Sequence, residues 1–175
     1  MLKFERFTAA NSPMDLSRAH RIRHKVFIDE AGGMAKDEYD ALDARCVHFL
    51  VYESNYPDQP IATARAFIPL PGEYHNEDIE KSCYRIGRVA VLREFRGKNV
   101  GQRLMREMEA WCFEQHGKDD QNIEYLVVHA RLHIQGFYEK LGWKVMGDIF
   151  QERGIPHVLM IKTRSNSEYD HSNKH

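Results

Sequence analysis

The stretch Arg85–Met105 constrains the fold of this 175-residue chain more than any other, because it combines a strand, a glycine-bearing turn and a helix in direct succession. The apolar run Val89–Leu92 predicts a buried strand, and the basic turn Arg96–Gly101 follows it. After the turn, apolar residues recur at helical spacing and predict an amphipathic helix that ends near Gly117. Its stripe consists of Val100, Leu104, Met108, Trp111 and Cys112.

A turn of this kind at the start of a helix predicts an anion site. Backbone N–H groups of the turn and of the first helical turn converge there, and the helix dipole favours negative charge. Gly97 and Gly101 allow a phosphate to approach the backbone closely, while Arg96 and Lys98 add positive charge. The spacing excludes a P-loop, and the glycines of a dinucleotide-binding fingerprint are absent. Taken alone, the turn fits a pyrophosphate-carrying ligand and an ordinary basic helix start on the surface equally well.

In its order of basic and small residues between a strand and a helix, the segment Arg96–Gly101 resembles the acyl-CoA pyrophosphate loop of the GNAT superfamily of N-acetyltransferases. Asn99 stands where that family usually has glycine. Because Asn tolerates a left-handed backbone, we expect Asn99 to adopt such a conformation, or a tight turn, with its N–H facing the pyrophosphate. A second segment, Gly136–Trp143, resembles the family's late helix, and the two matches together favour the superfamily.

Shorter segments resemble the ElaA-like branch of that superfamily; they are Ile86–Val91, Ala130–Tyr138, Gly154–His157 and, more loosely, Arg23–Glu30. The resemblance implies an α/β fold of mixed α+β type, the GNAT acyl-CoA N-acyltransferase fold. Its central twisted sheet would be mostly antiparallel, with about six or seven strands, helices on both faces and splayed central strands. We expect one domain over residues 1–163, and the polar residues 164–175 predict a disordered tail.

Hydrophobic periodicity and turn residues assign the remaining elements. Ser12 and Pro13 predict the start of a first helix with Ser12 as its N-cap, and Gly32–Gly33 predict its end. A later helix is predicted over 133–141, and residues 34–46 form a loop or a short helix. Strands are predicted over 2–8, 47–53, 61–70, 82–92, 125–129, 143–149 and 155–161, with a turn over 55–60. The last two strands form a hairpin around Gly154.

Composition excludes several classes of protein. Apolar residues make up 42% and charged residues 29%, which is typical of a soluble globular domain. A net charge of −1 gives no general attraction to nucleic acid or to an anionic membrane. The N-terminal residues do not form a signal peptide and no run reaches transmembrane length, so we expect a cytoplasmic protein. The three cysteines, at positions 46, 83 and 112, are far apart in the sequence and form no Cys-x-x-Cys motif. Cys46, Cys83 and Cys112 therefore indicate neither a disulfide framework nor a metal site.

The resemblance implies direct transfer of an acetyl group from acetyl-CoA to a primary amine of a small molecule or peptide. Backbone groups of Val89 and Val91 would pair with the pantetheine, and the Val91 N–H would donate to the developing oxyanion. The residues expected to bind acetyl-CoA are Val89, Ala90, Val91, Arg96, Gly97, Lys98, Asn99, Val100, Gly101, Gln102, Gln135 and Tyr138.

Tyr138 is the predicted general acid of this reaction. It lies at the position of the family's late-helix tyrosine, and its phenol can donate a proton to the departing CoA thiolate. The alternative is a core tyrosine beside Phe137.

The general base and the acceptor pocket are less sharply indicated. Glu30 and His157 are the further catalytic candidates, and His129, at the end of a strand beside the cofactor gap, is weighed with them as the base. The residues expected to contact the acceptor are Arg23, Glu30, His129 and His157. Each candidate base also has an ordinary structural or solvated explanation. An acidic run over residues 37–43 is either a solvated loop or a border of the pocket that attracts a cationic amine.

Two other functions stay open. The segment Arg23–Glu30 and the acidic run also resemble the front end of acyl-homoserine-lactone synthases, which share this fold and use acyl carriers and S-adenosylmethionine. The back half of those enzymes usually lacks the loop and the late helix found here. A non-catalytic acyl-CoA-binding module is the third interpretation. Since relatives often dimerise through their C-terminal strands, a homodimer is one expected assembly.

Overall fold

The computed structural model describes residues 1–73, 79, 82–119 and 121–164. Seven strands in this part of the chain belong to one sheet. They are β1 (Leu2–Thr8), β2 (Val47–Glu53), β3 (Tyr56–Phe67), β4 (Cys83–Val91), β5 (Tyr125–Arg131), β6 (Lys144–Glu152) and β7 (Ile155–Thr163). Their order is β1-β2-β3-β4-β5-β7-β6, and the pairing is mostly antiparallel with one parallel pair. The predicted mixed α/β fold and its number of strands are confirmed.

Helical segments lie between the strands. The α-helices of the described residues are α1 (Pro13–Arg23), α2 (Ala35–Glu38), α3 (Val100–Phe113) and α4 (Gln135–Glu139). A π-helix, His24–Glu30, follows α1 directly, and 3₁₀ turns cover Ala41–Arg45, Arg93–Phe95 and Leu132–Ile134. Within the described ranges, no helix has both the length and the apolar composition needed to span a membrane.

The chain divides into two compact units, one formed by residues 1–67 and 86–110 and the other by residues 68–85 and 111–175. A core of the first unit contains Phe7, Ala19, Ile22, Leu50, Tyr52 and Ala90, against which Leu16, Val26, Phe27 and Leu92 pack. A core of the second contains Ile79, Cys83 and Val127, against which Tyr125, Met146, Leu159 and Ile161 pack. The assignment of residues 1–163 to one domain stays a prediction, and most of the predicted tail, residues 165–175, lies outside the described residues.

The first helix begins and ends where the sequence predicts, but Ser12 does not cap it through its side chain. The Ser12 hydroxyl donates to Asp15 Oδ2 at 2.5 Å, and no backbone N–H of the helix bonds to it. A hydrogen bond to a charged acceptor is the stronger one, so the Ser12 hydroxyl bonds to the Asp15 carboxylate and does not cap the helix. Helical structure continues through the π-helix and ends before Gly33, where a Cβ would lie 2.5 Å from the Phe27 carbonyl oxygen.

The predicted turn over 55–60 is wrong, because most of it is strand. β3 begins at Tyr56, which pairs with Glu53, and Pro60 pairs with Tyr52. Residues 57–59 are therefore inserted between two consecutive pairs of the ladder. A proline cannot donate to a ladder but is tolerated at such an irregularity, so the proline-rich segment interrupts the register without ending the strand.

The last hairpin agrees with its prediction. β6 and β7 are joined by Arg153–Gly154, whose φ angles are +54° and +74°. Positive φ at both central residues is the geometry of a type I′ turn, which matches the twist of the flanking strands. The register places Phe150 opposite His157 and Glu152 opposite Ile155. Because paired residues and alternate residues share a face, these four side chains lie on one face of the hairpin.

The two later helices agree with the sequence to different degrees. In α3, the predicted apolar stripe is buried at Val100, Leu104, Met108 and Cys112. The helix predicted over 133–141 is shorter, because a 3₁₀ turn precedes α4 and α4 ends at Glu139. Gly136 inside this segment lowers the helix propensity, which fits the short length.

Candidate functional site

The loop between β4 and α3 has the backbone conformation of an anion cradle. Gly97 and Asn99 both have positive φ, +75° and +60°. The Asn99 carbonyl accepts the first helical hydrogen bond, from the Arg103 N–H at 3.0 Å, so α3 starts directly after it. The predicted left-handed conformation of Asn99 is confirmed, whereas the direction of its N–H toward a ligand stays a prediction. No atom lies within 4 Å of the position that a Cβ on Gly97 would take, so the turn is open there.

The N-terminal turn of α3 is formed by three of the residues predicted to bind acetyl-CoA, Val100, Gly101 and Gln102. The first N–H groups of a helix have no intrahelical partner, which leaves donors for an anion. The Lys98 ammonium lies 5.3 Å from the centre of the Phe95 ring, a cation–π distance. The loop therefore combines backbone donors with a cation held at its rim.

Arg96 and Glu30 form an ion pair, although Arg96 was predicted to bind acetyl-CoA and Glu30 to act as a base or contact the acceptor. Arg96 Nη2 lies 2.8 Å from Glu30 Oε2, and Arg96 Nε donates to the Val91 carbonyl at 2.9 Å. The side chains are 42% and 30% exposed, so the pair stays within reach of solvent. Glu30 could act as the general base only after separating from Arg96, so its predicted catalytic role stays a prediction.

Arg88 is a left-handed residue within β4, with φ +52°, directly before the segment predicted to pair with pantetheine. Arg88 Nη2 donates to the Asp37 carbonyl at 3.0 Å, and its Nε lies 3.0 Å from Glu38 Oε2. Burial lowers the pKa of Arg88, and its Glu38 partner opposes that effect. These contacts hold Arg88 in a conformation that a non-glycine residue adopts at an energetic cost.

A buried ion network lies behind this segment of β4. Arg23, only 1% exposed, donates through Nε to Glu38 Oε1 at 2.5 Å and through Nη1 to Asp43 Oδ1 at 2.8 Å. Arg65 Nη1 donates to Asp43 Oδ1 and to Asp40 Oδ1, both at 2.6 Å. Direct contact between Arg23 and an acceptor would require this network to open, so the predicted acceptor contact of Arg23 stays a prediction without geometric support.

The acidic run is therefore not a solvated loop at its two buried members, Glu38 and Asp43, which are 5% and 6% exposed. Burial alone would raise the pKa of Asp43, but hydrogen bonds from His20 and Arg23 outweigh it and hold that pKa well below its ordinary value. Burial would also raise the pKa of Asp40, but the hydrogen bond from Arg65 and the positive charges of Arg65 and Arg88 together lower it. Paired charges do not attract a distant cation, so the run loses the proposed role of an amine attractor.

In the second unit, the β5, β6 and β7 strands bring together a group that we name the His129 cluster: Arg85, His129, Phe150, Glu152 and His157. His129 Nδ1 lies 2.7 Å from Glu152 Oε2 and 2.8 Å from Arg85 Nη2. The Phe150 ring meets the His129 ring edge-on at 4.9 Å and stacks with the His157 ring at 5.9 Å. The hydrogen bond with His129 is the largest of the causes that lower the pKa of Glu152 to about 2.

Sequence reasoning selected His129 and His157 but missed Glu152 and Arg85. A signal for Glu152 existed in the predicted hairpin around Gly154. A two-residue turn there places Glu152 and Phe150 on the face that carries His157. Arg85 had no comparable signal, because its contact with His129 spans 44 positions of the chain.

Tyr138 is buried, with its ring edge-on to Phe137 at 5.1 Å and to Trp143 at 5.9 Å. Burial raises the pKa of its phenol, so the group keeps its proton at neutral pH. That state suits a proton donor and a core tyrosine equally. Gln135, a predicted acetyl-CoA contact, donates to Glu139 Oε1 one helical turn away at 2.7 Å.

Sequence models of the acetyltransferase (GNAT) domain match the chain twice, over residues 75–164 and over residues 22–106. The first match covers more than half of the chain. The chain belongs to the GNAT family of acetyltransferases. Family membership supports acyl-CoA-dependent N-acyltransferase activity, with an acyl-CoA as the donor.

This GNAT chain has relatives of the predicted branch. It is 38% identical to the ElaA protein of Escherichia coli over 143 residues, which are 81% of this chain and 83% of that one. It is 33% identical to the YyaT protein of Bacillus subtilis over 151 residues, 85% of this chain and 88% of that one. The crystal structure of E. coli ElaA superposes with a TM-score of 0.71 and 25% identity, covering 93% of this chain and 99% of that one.

The GNAT fold also superposes on BjaI, a CoA-dependent acyl-homoserine lactone synthase solved with S-adenosylmethionine and isopentyl-CoA. The TM-score is 0.71, with 98% of this chain and 89% of that chain covered. At 16% identity, this likeness shows the shared fold alone.

Proposed function

We propose that this chain transfers an acetyl group from acetyl-CoA to a primary amine of a small molecule or peptide. The observation that carries the proposal is the loop 96–101, where a left-handed Asn99 occupies the position that is usually glycine in the family. That conformation turns the backbone into the N-terminus of α3, whose N–H groups and dipole favour a pyrophosphate.

Each predicted contact then has a defined task. Residues 96–102 bind the pyrophosphate, and the backbone of Val89–Val91 pairs with the pantetheine. The Ala90 side chain belongs to the core of the first unit, so the side chains of Val89 and Val91 face the other way. Tyr138 donates a proton to the departing thiolate, since it lies at the family's late-helix tyrosine and its phenol is protonated at neutral pH.

The acyl-homoserine-lactone synthase resemblance has a simpler explanation in the first unit. Arg23, Asp40 and Asp43, three of the residues that carry that resemblance, take part in one buried ion network with Arg65. Packing accounts for these residues without a binding site for S-adenosylmethionine. We therefore keep the synthase reaction as an outcome of the test.

The test is a thiol-release assay with purified protein, acetyl-CoA and a panel of polyamines, amino acids and short peptides. We expect thiol release that depends on both acetyl-CoA and one class of amine. Turnover only when S-adenosylmethionine is present would assign the synthase reaction instead. Tight binding of CoA without thiol release for any amine would support a non-catalytic module and contradict the proposal.

A further inference from the structure

On the basis of the proposed function, we infer that His129 is the general base that deprotonates the acceptor amine, and that Glu152 is the positioning residue that sets the His129 tautomer and charge. His129 lies on β5 and Glu152 at the end of β6. Their contact of 2.7 Å joins Nδ1 to a carboxylate oxygen. This pair adds a residue that the sequence did not indicate.

The tautomer follows from the chemistry of the pair. An ionised carboxylate can only accept hydrogen bonds, so Nδ1 must carry the proton to donate to Glu152. The lone pair of the neutral imidazole is then on Nε2, which becomes the atom that accepts a proton. Carboxylate–histidine pairs position a base in this way in other enzymes, because the carboxylate also stabilises the imidazolium that forms.

Arg85 opposes Glu152 and tunes the pair. Its Nη2 lies 2.8 Å from His129 Nδ1 and 3.6 Å from Glu152 Oε1. A guanidinium has no lone pair, so Nδ1 cannot donate to Glu152 and accept from Arg85 at the same time. The positive charge of Arg85 destabilises the imidazolium, whereas the negative charge of Glu152 stabilises it.

The other two candidate bases are less suited to the task. His157 is 9% exposed, and its Nδ1 lies 2.8 Å from the Ile155 carbonyl oxygen. Glu30 is paired with Arg96. The His129 side chain is 22% exposed and therefore reachable by an acceptor. His157 instead stacks on Phe150, which meets the His129 ring edge-on, so it helps to fix that ring.

The proton balance of the step is complete with these groups. The acceptor ammonium gives one proton to His129 Nε2, and the amine nitrogen then bonds to the thioester carbonyl carbon while the C–S bond breaks. The thiolate takes a proton from Tyr138, and the second proton of the acylated nitrogen restores Tyr138. His129 releases its proton to solvent.

The groups that face His129 within the described residues predict how the rate depends on pH. The charged ones are Arg85 on β4 and Glu152 on β6, while His157 on β7 contacts the Phe150 ring. The rate constant kcat/KM for the amine should rise with pH as His129 loses its proton. In Glu152→Gln an amide oxygen can still accept from Nδ1, but the negative charge is gone. We expect the acid limb to move to lower pH by about one unit, the size of effect that an opposite charge at this distance gives.

The experiment measures kcat/KM against pH for the best amine of the panel in the wild type, Glu152→Gln, His129→Gln and His116→Gln. His129→Gln should lose roughly 10²–10⁴-fold in rate together with the acid limb. His116→Gln is the matched control, since His116 lies 3.4 Å from the Glu124 carboxylate outside the cluster, and it should keep both the rate and the limb. An NMR titration of the His129 ring in wild type and Glu152→Gln should show the same shift as the rate, and thermal unfolding checks that the variants are folded.

Two failures can be told apart. If the wild type acylates no amine, the proposed function fails and the base assignment fails with it. If the wild type is active and folded His129→Gln keeps its full rate, the base assignment alone is overturned. An acid limb that does not move in Glu152→Gln, in both the rate and the NMR titration, overturns the role of Glu152.

Discussion

At the scale of single residues, Asn99 is the position whose backbone conformation the proposed pyrophosphate site depends on most. A left-handed backbone costs an ordinary residue about 1–2 kcal/mol, while asparagine and glycine adopt it more readily. Its φ of +60°, directly before α3, agrees with the left-handed or tightly turned conformation expected from the resemblance to the family's loop and from the residue type. The loop thus tolerates asparagine because the conformation, rather than the absence of a side chain, is what the family's glycine provides.

The first prediction concerns this conformation. Asn99→Gly should keep the affinity for acetyl-CoA, whereas Asn99→Val should weaken it roughly 5–30-fold. This factor is the conformational cost of holding a β-branched residue in the left-handed region, about 1–2 kcal/mol, expressed as a change in the dissociation constant. Calorimetric titration with CoA measures the affinity. The matched control is Asp119→Val, which places the same side chain at another left-handed residue, φ +48°, outside the loop. Equal CoA affinity in Asn99→Val and the wild type would show that the loop does not bind the pyrophosphate.

The second prediction concerns the proton donor. Tyr138→Phe should lower kcat by roughly 10²–10⁴-fold, because a positioned acid is lost while the ring stays in place. Tyr84→Phe is the matched control, since Tyr84 is also buried and its hydroxyl reaches Gln121 Oε1 at 3.4 Å. It should leave kcat unchanged. Full activity of purified Tyr138→Phe would identify Tyr138 as a core tyrosine only.

At the scale of elements, buried ion pairs connect the first helix, the acidic segment, β3 and β4. The first helix α1 contributes Arg23, and the acidic segment contributes Glu38 and Asp43. Strand β3 contributes Arg65, and β4 contributes Arg88. Removing one partner of a buried pair leaves an uncompensated charge, which is far more costly than losing a surface pair. The network therefore fixes β4 where its backbone turns at Arg88.

The third prediction follows from this network. Asp43→Asn should lower the free energy of unfolding by about 3–5 kcal/mol in urea titrations, because Arg23 and Arg65 lose a shared anion. Asp29→Asn is the control, since that carboxylate is 59% exposed beside His24. A loss in Asp43→Asn no larger than in Asp29→Asn would show that the network does not stabilise the fold.

The fourth prediction concerns acid. The folded pKa values of Asp40, Asp43 and Glu152 lie below their ordinary values, that of Glu152 at about 2. Groups of this kind stabilise the fold above their ordinary pKa near 4, and this contribution is lost as the pH falls through the folded pKa. Unfolding in urea at pH 7, 5, 4 and 3 should show stability falling below about pH 4. Stability that is flat down to pH 3 would contradict the charges assigned here.

Most elements were predictable because their signals are local. β1 and β2 match their predicted bounds, and the Arg153–Gly154 turn follows from residue type. The turn over 55–60 was wrong because a ladder irregularity accommodates prolines that locally indicate a turn. The ion network was not predictable, because Arg65 and Asp40 are 25 positions apart in the sequence and a local sequence pattern does not show which distant residues come into contact.

At the scale of the whole molecule, the fold class and the family were predictable from two distant motifs, the loop at 96–101 and the helix segment at 136–143, whereas the strand order was not predicted. The roles of the candidate site residues stay predictions, and the pairing of their side chains was not predicted. Glu30 was expected as a base and is paired with Arg96, whereas Glu152 was not expected and contacts His129. Pairing depends on side-chain geometry in three dimensions, which the motifs do not contain.

Following the acetyl group from acetyl-CoA to the amine tests N-acetyl transfer by this chain most directly. Purified protein is incubated with acetyl-CoA carrying an isotope-labelled acetyl group and with the best amine of the panel, and mass spectrometry compares labelled amide with released thiol. We predict one labelled amide for each thiol in the wild type, and a matching fall of both in Tyr138→Phe. Thiol released without labelled amide, or CoA bound with neither product formed, would contradict N-acetyl transfer by this chain.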